Sequence, residues 1–70
     1  MWFMNKLSHQ QLTVLTLIGS CLNTKEIAGE MAISPKTVEF HRHALQLKLR
    51  VFGAVALTKY AIREGITSPW

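Results

Sequence analysis

Acidic residues are scarce in this chain of 70. Four carboxylate side chains leave no pair spaced for general acid–base work. One cysteine, Cys21, excludes a disulfide staple within the chain and a cysteine-built metal cluster. A lone thiol suits a reducing compartment. The histidines His9, His41 and His43 share no spacing with Cys21 that builds a site. On a helix, His41 and His43 point to different sides. No glycine-rich loop is present to cradle a phosphate. These absences point away from an enzyme and imply neither cofactor nor metal. No apolar run approaches the roughly 20 residues that a membrane span needs. Met1-Trp-Phe-Met4 is too short for a signal-peptide core and has no basic residue before it. A cytoplasmic protein is the expectation.

Proline and glycine, two and four residues, mostly sit where helices should begin or end. Alternating strand patterns, repeats and low-complexity segments are missing. What is present is 49% hydrophobic residues, too many for a disordered tail. A chain of this length buries about 60% of its unfolded surface, so it must pack well or gain stability from a partner. Its net charge is +4, with a pI near 9.7. A small basic domain suits nucleic acid or an anionic surface, and a solubilising excess explains the charge equally well.

The pattern predicts an all-α domain over residues 7–67, with tails at 1–6 and 68–70. Ser8 and Gln11 make a capping box for a helix to Gly19, with Val14, Leu15, Ile18 and then Leu22 on its apolar side. Asn23 and Glu26 make a second box, for a helix over 24–31 whose Ile27, Ala28 and Met31 face inward. Ile33 is expected beneath the short connection that follows. Ser34 caps a third helix over 35–49, with Pro35 at its first position, where a missing N–H is harmless. Val38, His41, Leu45 and Leu49 share one face of it. Lys36, Phe40, His43, Leu47 and Arg50 lie on the other. A fourth helix over 54–64 stops at Gly65 and takes apolar contact from Leu57, Tyr60, Ala61 and Ile62. Its start, Phe52-Gly53, lacks a capping side chain and should fray.

Two helices joined this closely form the geometry that sets a helix in the DNA major groove. Lys36, Thr37, Arg42 and His43 can present polar groups to phosphates or base edges, and Phe40 offers an apolar surface to a thymine methyl. A plain helical bundle with a solvated third helix is the competing reading. The caps Asn23, Glu26 and Ser34, with Pro35 and Thr37, favour DNA binding.

These residues carry a resemblance. Leu7-Ser8, Val14-Leu15-x-Leu17-Ile18, Lys25-Glu-Ile-Ala28, Ile33-Ser-Pro-Lys-Thr-Val-Glu-x-His-Arg42, Lys48-Leu49-x-Val51 and Tyr60-Ala-Ile-Arg-Glu-Gly65 resemble the LuxR/GerE-type DNA-binding domain. The resemblance spans Leu7 to Ile66. It implies a four-helix helix-turn-helix domain of a transcriptional regulator. The third helix then lies in the major groove of a roughly palindromic site, and the protein binds as a homodimer paired through helix four. It implies backbone contacts for Lys36 and Thr37, base-facing positions for Glu39, Phe40 and His43, and a packed structural role for His41. Leu57, Tyr60, Ala61 and Glu64 are implied at the dimer contact. Three stretches depart from the pattern. Gln10-Gln-Leu-Thr13 replaces Arg-Glu-x-Glu, Cys21 replaces a glycine, and Phe52-Gly-Ala54 replaces Ser-x-Arg. Cys21 is strained if its position needs positive φ.

Such domains usually follow a sensory or receiver domain, and only residues 1–6 precede this one, so a stand-alone regulator is the expectation. The alternative is a small interaction protein that binds and antagonises a full-length LuxR-type regulator, as a phage or mobile element would encode. Its motivation is the lost acids, the lost cap and the aromatics Trp2, Phe3, Phe52 and Trp70.

Overall fold

A computed structural model describes residues 7–66. The expected tails, with Trp2, Phe3 and Trp70, lie outside the described residues. Four helices follow in order: α1 His9–Gly19, α2 Thr24–Met31, α3 Pro35–Leu49 and α4 Ala54–Arg63. No strand occurs among the described residues, and the domain is all-α as expected. α1 lies at the centre and packs on both α3 and α4, while α2 packs on α3.

Each of the first three helices begins on a side-chain cap. Ser8 Oγ accepts the Gln11 N–H at 3.1 Å while Gln11 Oε1 accepts the Ser8 N–H at 3.0 Å. Asn23 and Glu26 exchange the same pair at 2.8 Å each. Ser34 Oγ accepts the Thr37 N–H at 3.2 Å. Such caps are each worth about 1 kcal/mol. The fourth helix starts on Gly53 with no side-chain cap of its own, as its sequence predicts. Gln46 reaches across from α3 instead, and its Oε1 accepts the Gly53 N–H at 3.3 Å.

All four helices end in the same way. The residue that leaves each helix has positive φ: Cys21 at 66°, Ala32 at 56°, Arg50 at 55° and Gly65 at 73°. The next residue is apolar each time and donates its N–H back to the carbonyl five residues earlier. Leu22 bonds Leu17 at 3.2 Å, Ile33 bonds Ala28 at 3.0 Å, Val51 bonds Gln46 at 3.2 Å and Ile66 bonds Ala61 at 2.7 Å. This left-handed closure satisfies carbonyls that the helix end would orphan, and it turns the apolar residue inward. Leu22, Ile33 and Val51 pack against the core and Ile66 is part of it. Only Gly65 supplies the residue type that suits the conformation. The strain anticipated at Cys21 is present.

The core is built from Val14, Leu15 and Ile18 of α1, Ile27 and Ala28 of α2, Val38 and Leu45 of α3, Leu57 and Ala61 of α4, and Ile66. Truncating a fully buried leucine such as Leu15 or Leu45 to alanine costs about 2–5 kcal/mol, a large part of what a domain this small holds. Ile62, read from sequence as a packing residue, is exposed instead. It lies one residue past Ala61, and one step along a helix turns a side chain by about 100°.

Candidate nucleic-acid interface

The elbow between α2 and α3 is three residues long, Ala32-Ile33-Ser34. Positive φ at Ala32 reverses the chain, Ile33 is held under the turn, and Ser34 with Pro35 starts α3 at once. Arg42 braces the pair from about two turns further on. Its Nη1 donates to Thr24 Oγ1, at the start of α2, at 2.6 Å. A third tie runs from the end of α3 to α1, where Lys48 Nζ donates to Gln11 Oε1 at 3.0 Å. Gln11 stands where the resembling pattern has its first acid, and its neutral carbonyl still accepts both the Ser8 N–H and the lysine.

With its inner face committed to the core through Val38, His41 and Leu45, α3 exposes a continuous outer stripe. Lys36, Glu39, Phe40, His43, Leu47 and Arg50 are all exposed, at the spacing that puts them on one side of a helix. Phe40 is 70% exposed and Leu47 57%. The Phe40 ring also meets the buried His41 ring edge-on, with centroids 5.9 Å apart and planes at 66°. Glu39, Arg42, His43 and Gln46 line an open groove of about 330 Å³ beside the stripe. Thr37 is exposed, and its Oγ1 lies 2.9 Å from Ser34 Oγ, so its hydroxyl takes part in the cap. His41 is buried, as read from sequence, but its Nδ1 has no hydrogen-bond partner.

The residues expected at DNA therefore divide into two groups. Lys36, Glu39, Phe40 and His43 stand together on the outer face. Arg42 is half-buried between α3 and the start of α2, away from the elbow, and Thr37 sits at the cap. The Arg42–Thr24 bond joins residues 18 apart in the chain, and no local pattern signals it. Gln46 has two placements that sequence reasoning missed, at the Gly53 N–H and beside the groove.

Leu57 and Ala61 are 0% exposed. They belong to the domain's own core, where α4 packs on α1. Tyr60 and Glu64 are half-buried. Burial, and then the Glu64 carboxylate, push the Tyr60 phenol above its ordinary pKa, with Arg63 pulling the other way. The Arg63 guanidinium lies 5.9 Å from the Tyr60 ring centroid. The outward side chains of α4 are Val55, Lys59, Ile62 and Arg63, and Phe52 just before it is 63% exposed.

Among the described residues, no group of three or more histidine, cysteine or acidic side chains is placed to hold a metal. No described helix is long and apolar enough to cross a membrane.

A short capped elbow and a projecting, solvent-facing second helix define a helix-turn-helix domain. Residues 5–61 match the family described as bacterial regulatory proteins, luxR family. The chain belongs to that family, whose domain serves DNA-binding transcription regulation. It is 39% identical over 62 residues to the response regulatory protein YgeK of Escherichia coli (strain K12), a match covering 89% of this chain and 42% of YgeK. It is 37% identical over 60 residues to the response regulator UvrY of the same organism, covering 86% of this chain and 28% of UvrY. The response regulator GacA of Pseudomonas aeruginosa is 29% identical over 62 residues, covering 89% of this chain and 29% of GacA. The chain thus spans less than half the length of these relatives. No solved structure gives a significant match.

Proposed function

We propose that this chain binds a roughly palindromic DNA site as a homodimer and regulates transcription there, with α3 in the major groove. One observation carries the reading: the outer face of α3 is unpacked over its whole length while the α2–α3 pair behind it is held by the Ser34 cap, the half-buried Ile33 and the Arg42–Thr24 bond. Lys36 and the free edge of the Arg42 guanidinium meet phosphates. Glu39, Phe40 and His43 meet base edges, and Thr37 holds the cap that aims the helix. The outward face of α4, with Val55 and Ile62 at i and i+7, pairs with its twin, and Tyr60 and Glu64 lie at its margin. The site needs no cofactor. The protein acts in the cytoplasm of a bacterial or phage-infected cell.

The test is a selection from a random duplex pool, followed by a salt titration on the winning sequence. A palindromic winner whose affinity falls steeply with salt supports the reading. A pool that stays unenriched refutes it.

The exposed apolar side chains Phe52, Val55 and Ile62 also support a second reading. Through them the chain pairs with a full-length LuxR-type regulator and blocks it. Co-purification from a host that carries such regulators tests this, and recovery of the chain alone counts against it.

A further inference from the structure

The outer stripe of α3 has an unusual order of chemistry for a helix that reads bases. Its cations stand only at the two ends, Lys36 and Arg50. Between them come an acid, an aromatic ring, a histidine and an aliphatic side chain. The commonest base-specific contact is an arginine or lysine on guanine O6 and N7, and Glu39, Phe40, His43 and Leu47 supply neither. The nearest arginine, Arg42, is turned to the start of α2 and bonded to Thr24. Phe40 and Leu47, by contrast, are the most exposed large apolar side chains on this helix. They lie seven residues apart, about 10 Å along the axis, which is near three base-pair steps. The Phe40 ring leans on the buried His41 ring, so it meets a ligand with part of its freedom already removed.

We infer that this chain reads its DNA through pyrimidine edges rather than through guanine: Phe40 and Leu47 cover thymine 5-methyl groups, and Glu39 between the end cations accepts from a cytosine 4-amino group. The thymine methyl is the one apolar feature of the major-groove floor, and the cytosine amino group is a donor that a carboxylate matches. The same carboxylate repels phosphates, which leaves Lys36 and Arg50 to meet the backbone on either side. The inference rests on the DNA-binding reading and adds the chemistry of the site it selects.

Base analogues test it on the site the pool selection yields. Each thymine is replaced in turn by uracil, which lacks only the methyl, and each guanine by 7-deazaguanine, which lacks the N7 acceptor. The expected result is a loss of about fourfold at one or more thymines, the worth of one buried methyl-sized group. That loss should vanish in Phe40→Ala or Leu47→Ala, whose exposed positions leave the fold intact by circular dichroism. A site indifferent to uracil throughout overturns the inference and leaves DNA binding standing. So does a uracil loss that persists in both variants. A loss of about fivefold or more at a guanine, the low end of a bidentate contact, overturns it as well. A pool with no enriched site removes the DNA-binding reading and this inference with it.

Discussion

Cys21 carries a conformational load that one substitution should release. Its φ of 66° lies in the left-handed region, where a side chain crowds the following carbonyl at a cost of about 1–2 kcal/mol. Glycine removes that crowding, but it also frees the unfolded chain, which takes back about 0.4–1 kcal/mol. The Cys21 side chain is exposed, so little packing is lost. Cys21→Gly should therefore stabilise the domain by roughly 0.5–1 kcal/mol, a rise in Tm of about 2–8 °C for a domain of this size. Thermal denaturation followed by far-UV circular dichroism measures it, and urea unfolding should show a shifted midpoint at unchanged slope. Cys21→Ala is the control, because it removes the thiol and keeps Cβ. Gly65→Ala is the mirror experiment. At φ 73° an added Cβ meets nothing within 4 Å, so any loss comes from the backbone and should match the Cys21→Gly gain. If Cys21→Gly is no more stable than Cys21→Ala and Gly65→Ala melts like wild type, the strain argument is wrong.

Four further outcomes follow from single contacts. Lys36→Ala should weaken binding to all sequences alike and lower the salt slope by about one, the mark of a phosphate contact, whereas a loss confined to one base position would contradict that role. Gln11→Glu should gain about 0.3–1 kcal/mol from a charge facing Lys48 near the start of α1, seen as a higher urea midpoint that high salt removes. Gln46→Ala should cost about 0.5 kcal/mol, the low end for an exposed hydrogen bond, and should speed amide exchange in the first turn of α4 more than elsewhere. Tyr60 adds an alkaline dependence. Its raised phenol pKa means the folded state keeps the proton that the unfolded state loses, so stability is intact below the ordinary tyrosine value near 10 and falls as pH rises through the folded value. Urea midpoints across that range should fall more steeply for wild type than for Tyr60→Phe.

Local patterns in the chain made the helix starts legible. Ser8 with Gln11, Asn23 with Glu26, and Ser34 with Pro35 each lie within one turn, and the caps they form involve no distant residue. The spacing of Val38, His41 and Leu45 gave the buried face of α3, and so its outer stripe. The ends of the first three helices fell where expected, but their left-handed closures were not legible, because those at Cys21, Ala32 and Arg50 occur on residues that do not favour them. Their signal is the apolar residue that follows, Leu22, Ile33 or Val51. At α4 the apolar pattern placed Leu57 and Ala61 in the packing, where they lie, but missed that Ile62 is exposed. Leu57 and Ala61 are apolar at helical spacing, which fits a core and a dimer seam equally, and only the position of α1 decides between them. The ties Arg42–Thr24, Lys48–Gln11 and Gln46–Gly53 span 18, 37 and 7 residues. They depend on how the helices cross, and no local pattern encodes them.

Along α3 the scaffold and the reading surface are separated by rotation about one axis. Val38, His41 and Leu45 are held by the core, and Arg42 by Thr24. On the proposed DNA-binding reading, changing them would alter how the helix is aimed at every base at once. Glu39, Phe40, His43 and Leu47 are exposed, and changing them leaves the aim alone. Phe40 is joined to the inner set through its edge contact with His41. His41 and Phe40 should therefore behave as a coupled pair. A substitution that shrinks the His41 ring should weaken DNA binding beyond its effect on stability, and a double-mutant cycle with Phe40→Ala should recover that excess as a nonadditive term. Strict additivity would mean that Phe40 is presented by the helix backbone alone.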